Sequence, residues 1–211
     1  IFCSSGFFGG EKTLSYSDYM LKGDGSSADS FDIVFGNSAQ NFSVSLNMFH
    51  EGMNTRGRAI SKGVFCGKSS GLLRGIVNIG KGAKNSNSFL SNHSILLSKD
   101  ASSDAIPGLQ IRNNDVKATH SASVTQINED QIFYLMSRGL SKDKAKKIIV
   151  SGFFEPIICQ SPKNVSDIIR GLLEIKWNNQ ELTELRKMIE KIPDDKAENT
   201  GDMFEGHYKY R

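Results

Sequence analysis

From about Leu14 to Ile127, apolar and polar positions alternate with a period of two, in short runs that Gly, Asn, Ser and Asp interrupt. FDIVFG (31–36), FSVSLNMF (42–49), RAISKGVFCG (58–67), LLRGIVNIG (72–80), SILLS (94–98), LQIRN (109–113) and SASVTQI (121–127) carry the pattern. Alternation of this kind sends successive side chains to opposite faces of a pleated backbone, so each run predicts a strand. No helix-length periodic stretch falls between the runs, which argues against a sheet assembled from βαβ units. Residues 1–14 read as a loop or a frayed first strand.

Small or apolar residues open similar units at Ala39, Met53, Ser70, Ala83, Ala101 and Val116, in steps of 14, 17, 13, 18 and 15 residues. The step is shorter than a propeller blade and close to one coil of a β-solenoid, whose short strands stack on those of the next coil. An antiparallel sandwich, with turn signals every roughly 8 to 12 residues, is the alternative. The pattern favours the solenoid slightly.

The period changes near residue 128. Asn128 is a good N-cap, with Gln131 three residues on in a capping-box arrangement; Ile132, Phe133, Leu135 and Met136 form an apolar face, and Gly139 stops the helix. Ser141 caps a second helix with Ala145, Ile148, Ile149 and Phe153 on one stripe, so that 128–158 predicts a helical hairpin. Phe153 and Phe154 stand beside Glu155 and Pro156, where the missing proline N–H predicts a helix break; the two rings either cap the hairpin core or form an apolar patch for a partner. Ser161 as N-cap with Pro162 in the first turn predicts a third helix through Val165, Ile168, Ile169, Leu172 and Leu173, and Asn179 a fourth through Leu182, Leu185 and Ile189. The predicted units are a β-solenoid over 1–127, a helical domain over 128–192 and a polar tail over 193–211.

Composition follows the same divide. Of 20 glycines, 16 lie between Gly6 and Gly139, which fits a turn-rich β unit followed by a helical one. The 26 basic and 23 acidic residues nearly balance, so charge indicates neither a nucleic-acid nor a membrane-surface partner. SKDKAKK (141–147) reads as a solvated helix face. Cys3, Cys66 and Cys159 are odd in number and widely spaced; they form no disulfide framework and no metal clip, which favours a reducing, cytosolic setting. No apolar run reaches the roughly 18 residues needed to span a bilayer, and no signal peptide is visible.

Few motifs carry chemistry by themselves. GVFCGKSSG (63–71) has one residue too few for a phosphate-binding loop and precedes a strand pattern, so it predicts a strand-to-strand turn. His50, His93 and His207 read as surface or hydrogen-bonding histidines, since no two of the four histidines share a helical metal-binding spacing. Asp24, Asp29, Asp32, Asp100, Asp104 and Asp115 are the acids a carbohydrate-active β-helix enzyme would use, but they are expected in turns, and Asp24, Asp29, Asp104 and Asp115 stand directly beside Gly, Asn or Ser.

ATHSASVTQINEDQIFYLMSRGLSKDKAKKIIVSGFFEPII (118–158) resembles the C-terminal signature of the SufB/SufD family, the scaffold subunits of the SUF iron-sulfur cluster assembly machinery. RAISKGVFCGKSSGLLRGIVNIGKGAKNSNSFLSNHSILLS (58–98) resembles the repeat region of the same family. The resemblance implies a right-handed parallel β-helix followed by a small helical bundle. It also implies a dimer with a SufB-like or identical chain, formed through the β-helix, and docking of a SufC-type ABC ATPase on the C-terminal helices, with ATP hydrolysis left to that partner. SufB-like chains carry CGAHTFP where this chain has ASSDAIP (101–107), and HEATTSKI where it has HSASVTQI (120–127), so the chain looks closer to SufD. The cysteine implicated in cluster assembly on the SufB side is Ala101 here, the glutamate after the histidine is Ser121, and a cysteine that SufD chains can carry is Ala118.

His120 matches the SufD histidine that faces the SufB site across the dimer interface, which implies a metal-ligand role for it toward a transient iron-sulfur cluster at that interface. Phe133, Arg138, Phe153 and Phe154 are the candidate ATPase-docking residues. The resemblance thus implies a noncatalytic, cytoplasmic scaffold subunit that holds no nucleotide. The competing expectations are a β-helix carbohydrate-active enzyme and a homodimeric docking protein that binds no iron.

Overall fold

A computed structural model describes residues 1–178; the predicted helix from Asn179, the tail after Pro193 and His207 lie outside the described residues. Strands β1 (Phe2–Phe7), β2 (Lys12–Leu21), β3 (Ser27–Gly36), β4 (Asn41–His50), β5 (Arg56–Phe65), β6 (Ser70–Ile79), β7 (Ser86–Leu96), β8 (Ser102–Ile111) and β9 (Val116–Gln126) precede helices α1 (Glu129–Ser137), α2 (Lys142–Ile158) and α3 (Lys163–Trp177). The odd strands form a five-stranded sheet in the order β1-β3-β5-β7-β9, and the even strands a four-stranded sheet in the order β2-β4-β6-β8. Every pairing is parallel. The chain is therefore a parallel β-solenoid of about four coils with helices after it, and residues 1–14 supply β1 and the start of β2.

The coil is twice the length expected from the sequence. Arg56 pairs with Asn87, Ser70 with Ser102 and Ser86 with Val116, so a residue meets its counterpart about thirty positions on. The steps of 13 to 18 residues measure half a coil, one strand and one corner. The two half-coils look alike in sequence because both alternate and both end in a tight turn.

The corners repeat in register. Gly25, Asn54 and Asn85 hold positive φ at one set of turns, and Gly10, Ser38 and Gly67 at the other. Asn85 Nδ2 donates to Asn54 Oδ1 at 2.7 Å, stacking one corner on the next. Asparagine tolerates the left-handed conformation better than other side-chain-bearing residues, which is why it can stand where glycine would otherwise be needed.

Side chains between the sheets form two apolar groups with a polar column near them. Leu46, Met48, Val77 and Ile79 pack against Ala28, Ala59 and Leu90, and Val34, Phe42, Val44, Phe65 and Leu73 form the second group. Ser5, Asp32, Ser61, Asn92 and Ala122 align one above another through the strand register. Asp32 is 1% exposed, contrary to its expected place in a turn, and Asp29 and Asp104 also lie in strands. Asp24 does hold a turn, accepting from the Met53 N–H at 2.8 Å. His50 is buried as well, with Nδ1 2.8 Å from Thr55 Oγ1. Gly57 is needed beside it, since a Cβ there would lie 2.9 Å from His50 Nε2.

The helices cover the outer face of the five-stranded sheet. Ile33, Phe35 and Val64 meet Val150, Phe154, Ile157, Ile158 and Ile169 in one cluster, while Ala145 joins Ile127 and Ile132 in another. The buried residues of α2 are thus Ala145, Val150, Phe154, Ile157 and Ile158, whereas Ile148 of the predicted stripe is exposed. α2 also continues through Pro156, where a break was expected. Only Ile157 and Ile158 follow the proline within the helix, so the lost bond falls in the last turn; there Cys159 N–H bonds Glu155 O, and Gln160 Nε2 donates to Pro156 O at 2.6 Å. At α3, Pro162 rather than Ser161 is the N-cap, and no side chain caps the helix.

Burial raises the pKa of Asp32 to about 7, even though hydrogen bonds from Ser61 and Ser5 oppose the shift. Burial lowers that of His50 to about 4. The unfolded Asp32 ionises from its ordinary value of 3.8 upward while the folded carboxyl stays protonated. The stability it contributes at acid pH is therefore lost as pH rises from about 4 through 7. His50 has the opposite sign: its neutral burial is favourable above 6.5, and that advantage disappears as pH falls toward about 4. Asp32→Asn is expected to gain thermal stability relative to the parent between pH 5 and pH 8; a difference independent of pH would rule out a neutral buried carboxyl.

Candidate functional site

Strand register places Cys3, Ser30, Ala59, Leu90 and His120 in one column that runs the length of the five-stranded sheet. Leu90 is fully buried between the sheets, and His120 stands directly after it. Among the described residues β9 is the last strand of its sheet and no further coil covers His120, whose side chain is exposed. β8 is likewise the last strand of the four-stranded sheet. The last coil therefore presents two neighbouring strands whose outer edges have no partner among the described residues.

The opposite face of β9 is held by His93. Its Nδ1 lies 2.6 Å from Ser123 Oγ and its Nε2 3.3 Å from Ser121 Oγ, and Ser121 also donates to Ser91 Oγ at 3.3 Å. Burial, followed by the charge of Lys62, lowers the His93 pKa and favours a neutral ring. A neutral imidazole has one donor and one acceptor nitrogen, which suits two hydroxyls that can each act either way. His93 is thus a hydrogen-bonding histidine, and it fixes the strand segment that follows His120.

Other chemistry-bearing positions are dispersed. Ala101 is buried with Phe65 and Leu73, and Ala118 packs against the Leu90 group, so both are packing residues. Cys66 is half-buried at a turn, and exposed Cys159 caps the C-terminus of α2. Among the described residues no three His, Cys, Asp or Glu side chains gather as a metal site. GVFCGKSSG is a strand-to-strand turn, with Gly67 at φ 68 between β5 and β6.

The hairpin begins where Asn128 accepts from the Asp130 and Gln131 N–H groups. It turns at Gly139, φ 88, where Gly139 N–H bonds Met136 O and Leu140 N–H bonds Leu135 O, a Schellman closure. Lys144 N–H donates to Ser141 Oγ at the start of α2. Several apolar side chains of the hairpin are left open: Phe133 is 74% exposed, and Tyr134, Met136 and Ile148 are exposed as well. A shallow cleft lined by Tyr134, Leu135, Ile148 and Ile149 runs between the helices. The Arg138 guanidinium lies over the Tyr134 ring, 5.3 Å from its centroid.

Phe153 and Phe154 do not join that surface. Phe154 is fully buried against the sheet, and half-buried Phe153 packs beside it, with Lys62 Nζ 4.8 Å from its ring centroid. Of the two readings of this pair, the structure supports core packing. Sequence reasoning missed Lys62 and His93 as a unit, because they stand 31 residues apart and become neighbours only through the register.

A family model described as "SUF system FeS cluster assembly, SufBD core domain" matches residues 2–153. An iron-sulfur cluster assembly SufBD family protein of Staphylococcus epidermidis is 32% identical over 171 residues, which is 81% of this chain and 37% of that protein. A protein of the same description from Synechocystis is 34% identical over 164 residues, 78% of this chain and 34% of its own length. One from Porphyra purpurea is 32% identical over the same length. The chain spans a little over a third of the length of these relatives.

The two phenylalanine environments separate by stability. Phe154→Ala is expected to cost about 3–5 kcal/mol, as for a fully buried aromatic, and Phe133→Ala to change stability by less than about 0.5 kcal/mol. Chemical denaturation of both variants checks this, and equal losses would contradict the packing described.

Proposed function

Because the chain belongs to the SufBD family of the SUF iron-sulfur cluster assembly system, we propose that it acts as a SufD-like, noncatalytic scaffold subunit. It pairs with a SufB-like chain through the last coil of the solenoid and docks a SufC-type ABC ATPase through α1 and α2. The observation that carries this reading is the position of His120, exposed at the end of an interior column on a strand with a free edge. A free edge offers unpaired N–H and C=O groups to a second sheet. A neutral imidazole is a competent iron ligand.

The cluster is cargo in this scheme. The described residues bring no second His, Cys, Asp or Glu pair to His120, so the remaining ligands come from the partner chain, and the site exists only in the dimer. Docking on the hairpin rests on its exposed apolar residues Phe133, Tyr134, Met136 and Ile148, with Arg138 over the Tyr134 ring; exposed aromatics and arginine are the residue types that anchor interfaces. Nucleotide-driven closure of the ATPase would move the hairpin and, through it, the last coil. The chain works in the cytoplasm and hydrolyses no ATP itself.

Anaerobic iron titration with and without the SufB-like partner tests the shared site. Iron should bind in the presence of the partner and not to this chain alone, and His120→Ala should weaken it by at least about tenfold, the scale for loss of a metal-site group. Equal binding by parent and variant would remove His120 from the site while leaving the pairing intact. Phe133→Asp should weaken ATPase association by about 30-fold, the equivalent of one aromatic anchor worth about 2 kcal/mol. Unchanged association, measured by titration calorimetry, would move the docking surface elsewhere.

A further inference from the structure

We propose that Lys62 is a positioning residue: stacked in register beside His93, which holds the Ser121 and Ser123 hydroxyls, it links helix α2 to strand β9 and transmits the state of the hairpin to the strand that bears His120. The use of this bridge in cluster assembly rests on the function proposed above. The bridge itself is a property of this chain alone.

Lys62 stands on the outer face of β5, where its in-register predecessor is the fully buried Ile33 and the surrounding cluster contains Val64, Phe153 and Phe154. Burial in these surroundings lowers its pKa. An apolar side chain would fill the same space without the cost of desolvating an ammonium group. The ammonium has a specific contact instead. It donates to Phe153 O at 2.5 Å while lying over the Phe153 ring. Pro156 removes the N–H that would bond Gly152 O, one residue before Phe153, and the Lys62 ammonium ties the same turn of α2 to the sheet.

On the other side, register carries the bridge forward. Lys62 pairs with His93, and His93 with Ser123. The charge of Lys62 acts on the His93 ring, whose two nitrogens face Ser123 and Ser121. β9 has only β7 as a sheet neighbour among the described residues, so its position depends on one backbone ladder, on the inward packing of Val116 and Ala118 and, on its outer face, on this clamp. Displacement of Phe153 would draw the ammonium away from its carbonyl, move the side chain stacked in register beside His93 and so loosen the clamp on the segment after His120. No proton or electron needs to be transferred.

The test uses the whole chain without iron or partner, so its outcome is separable from that of the iron titration. Lys62→Met should raise amide exchange in β9 over 119–125, as well as in α2 over 152–158, by about fivefold. It should also shift the His93 imidazole resonances while leaving β2 and β4 at parent rates. Lys12→Met, at the start of β2, should change neither segment. In a Ser123→Ala background, Lys62→Met should add less to β9 exchange than it does alone, because the clamp is already open. A change confined to α2, a uniform rise in all strands, or additive effects of the two substitutions would each overturn the bridge.

Discussion

The parallel register is the constraint on which the rest of the molecule depends. Adjacent strands in a sheet lie about 4.8 Å apart, so residues some thirty positions apart in sequence become immediate neighbours with the same facing. Each column must then satisfy itself: apolar residues stack on apolar ones, Asn54 on Asn85, and Ser61 beside Asp32. A shift of one residue would turn every such column inside out. The polar interior column fits this role, since Asp32 would lose Ser61 in any other register, while Asn92 reaches across to the Leu73 carbonyl of the opposite sheet.

Those buried polar groups are not without cost. Asp32 Oδ1, Asn92 Oδ1 and His50 Nε2 are buried without a partner, and burial pushes Asp32 and His50 toward their neutral forms. Their linkage signs oppose each other between about pH 4 and 6.5, so the fold gains from one group what it loses from the other across that range. A solenoid with only one of them would depend more steeply on acidity.

What could be read from the sequence was what is set locally. Period-two alternation, corner residues, and the caps at Asn128, Gly139 and Ser141 depend on a few consecutive residues, and the structure keeps them. Coil length was misjudged because it is a pairing property, and half-coils resemble one another. The buried stripe of α2 was displaced for a related reason: the helix packs against the sheet through Val150 and Phe154 and against α1 through Ala145, so its apolar residues occupy more than one face. At the site, His120 was singled out by family resemblance and by nothing in its own spacing. Lys62 and His93, on the other face of the sheet, could not be paired without knowing which residues stack.

The same stacking rule explains why the last coil is a natural place for a shared site. Inside the solenoid each column residue is covered above and below, as Leu90 is by Ala59 and His120. Only where the column ends can one of its members meet another molecule, and there it does so beside an unpaired strand edge that favours strand-to-strand contact. On the proposed reading, pairing two such ends would bring together a histidine from this chain and ligands from the other in the same step that satisfies both edges. Cluster assembly would then require the dimer for a physical reason: neither chain could complete the coordination sphere or cover its open column alone. The helices sit on the outer face of the same sheet that terminates in β9, so a force applied to α2 has a short path to that edge.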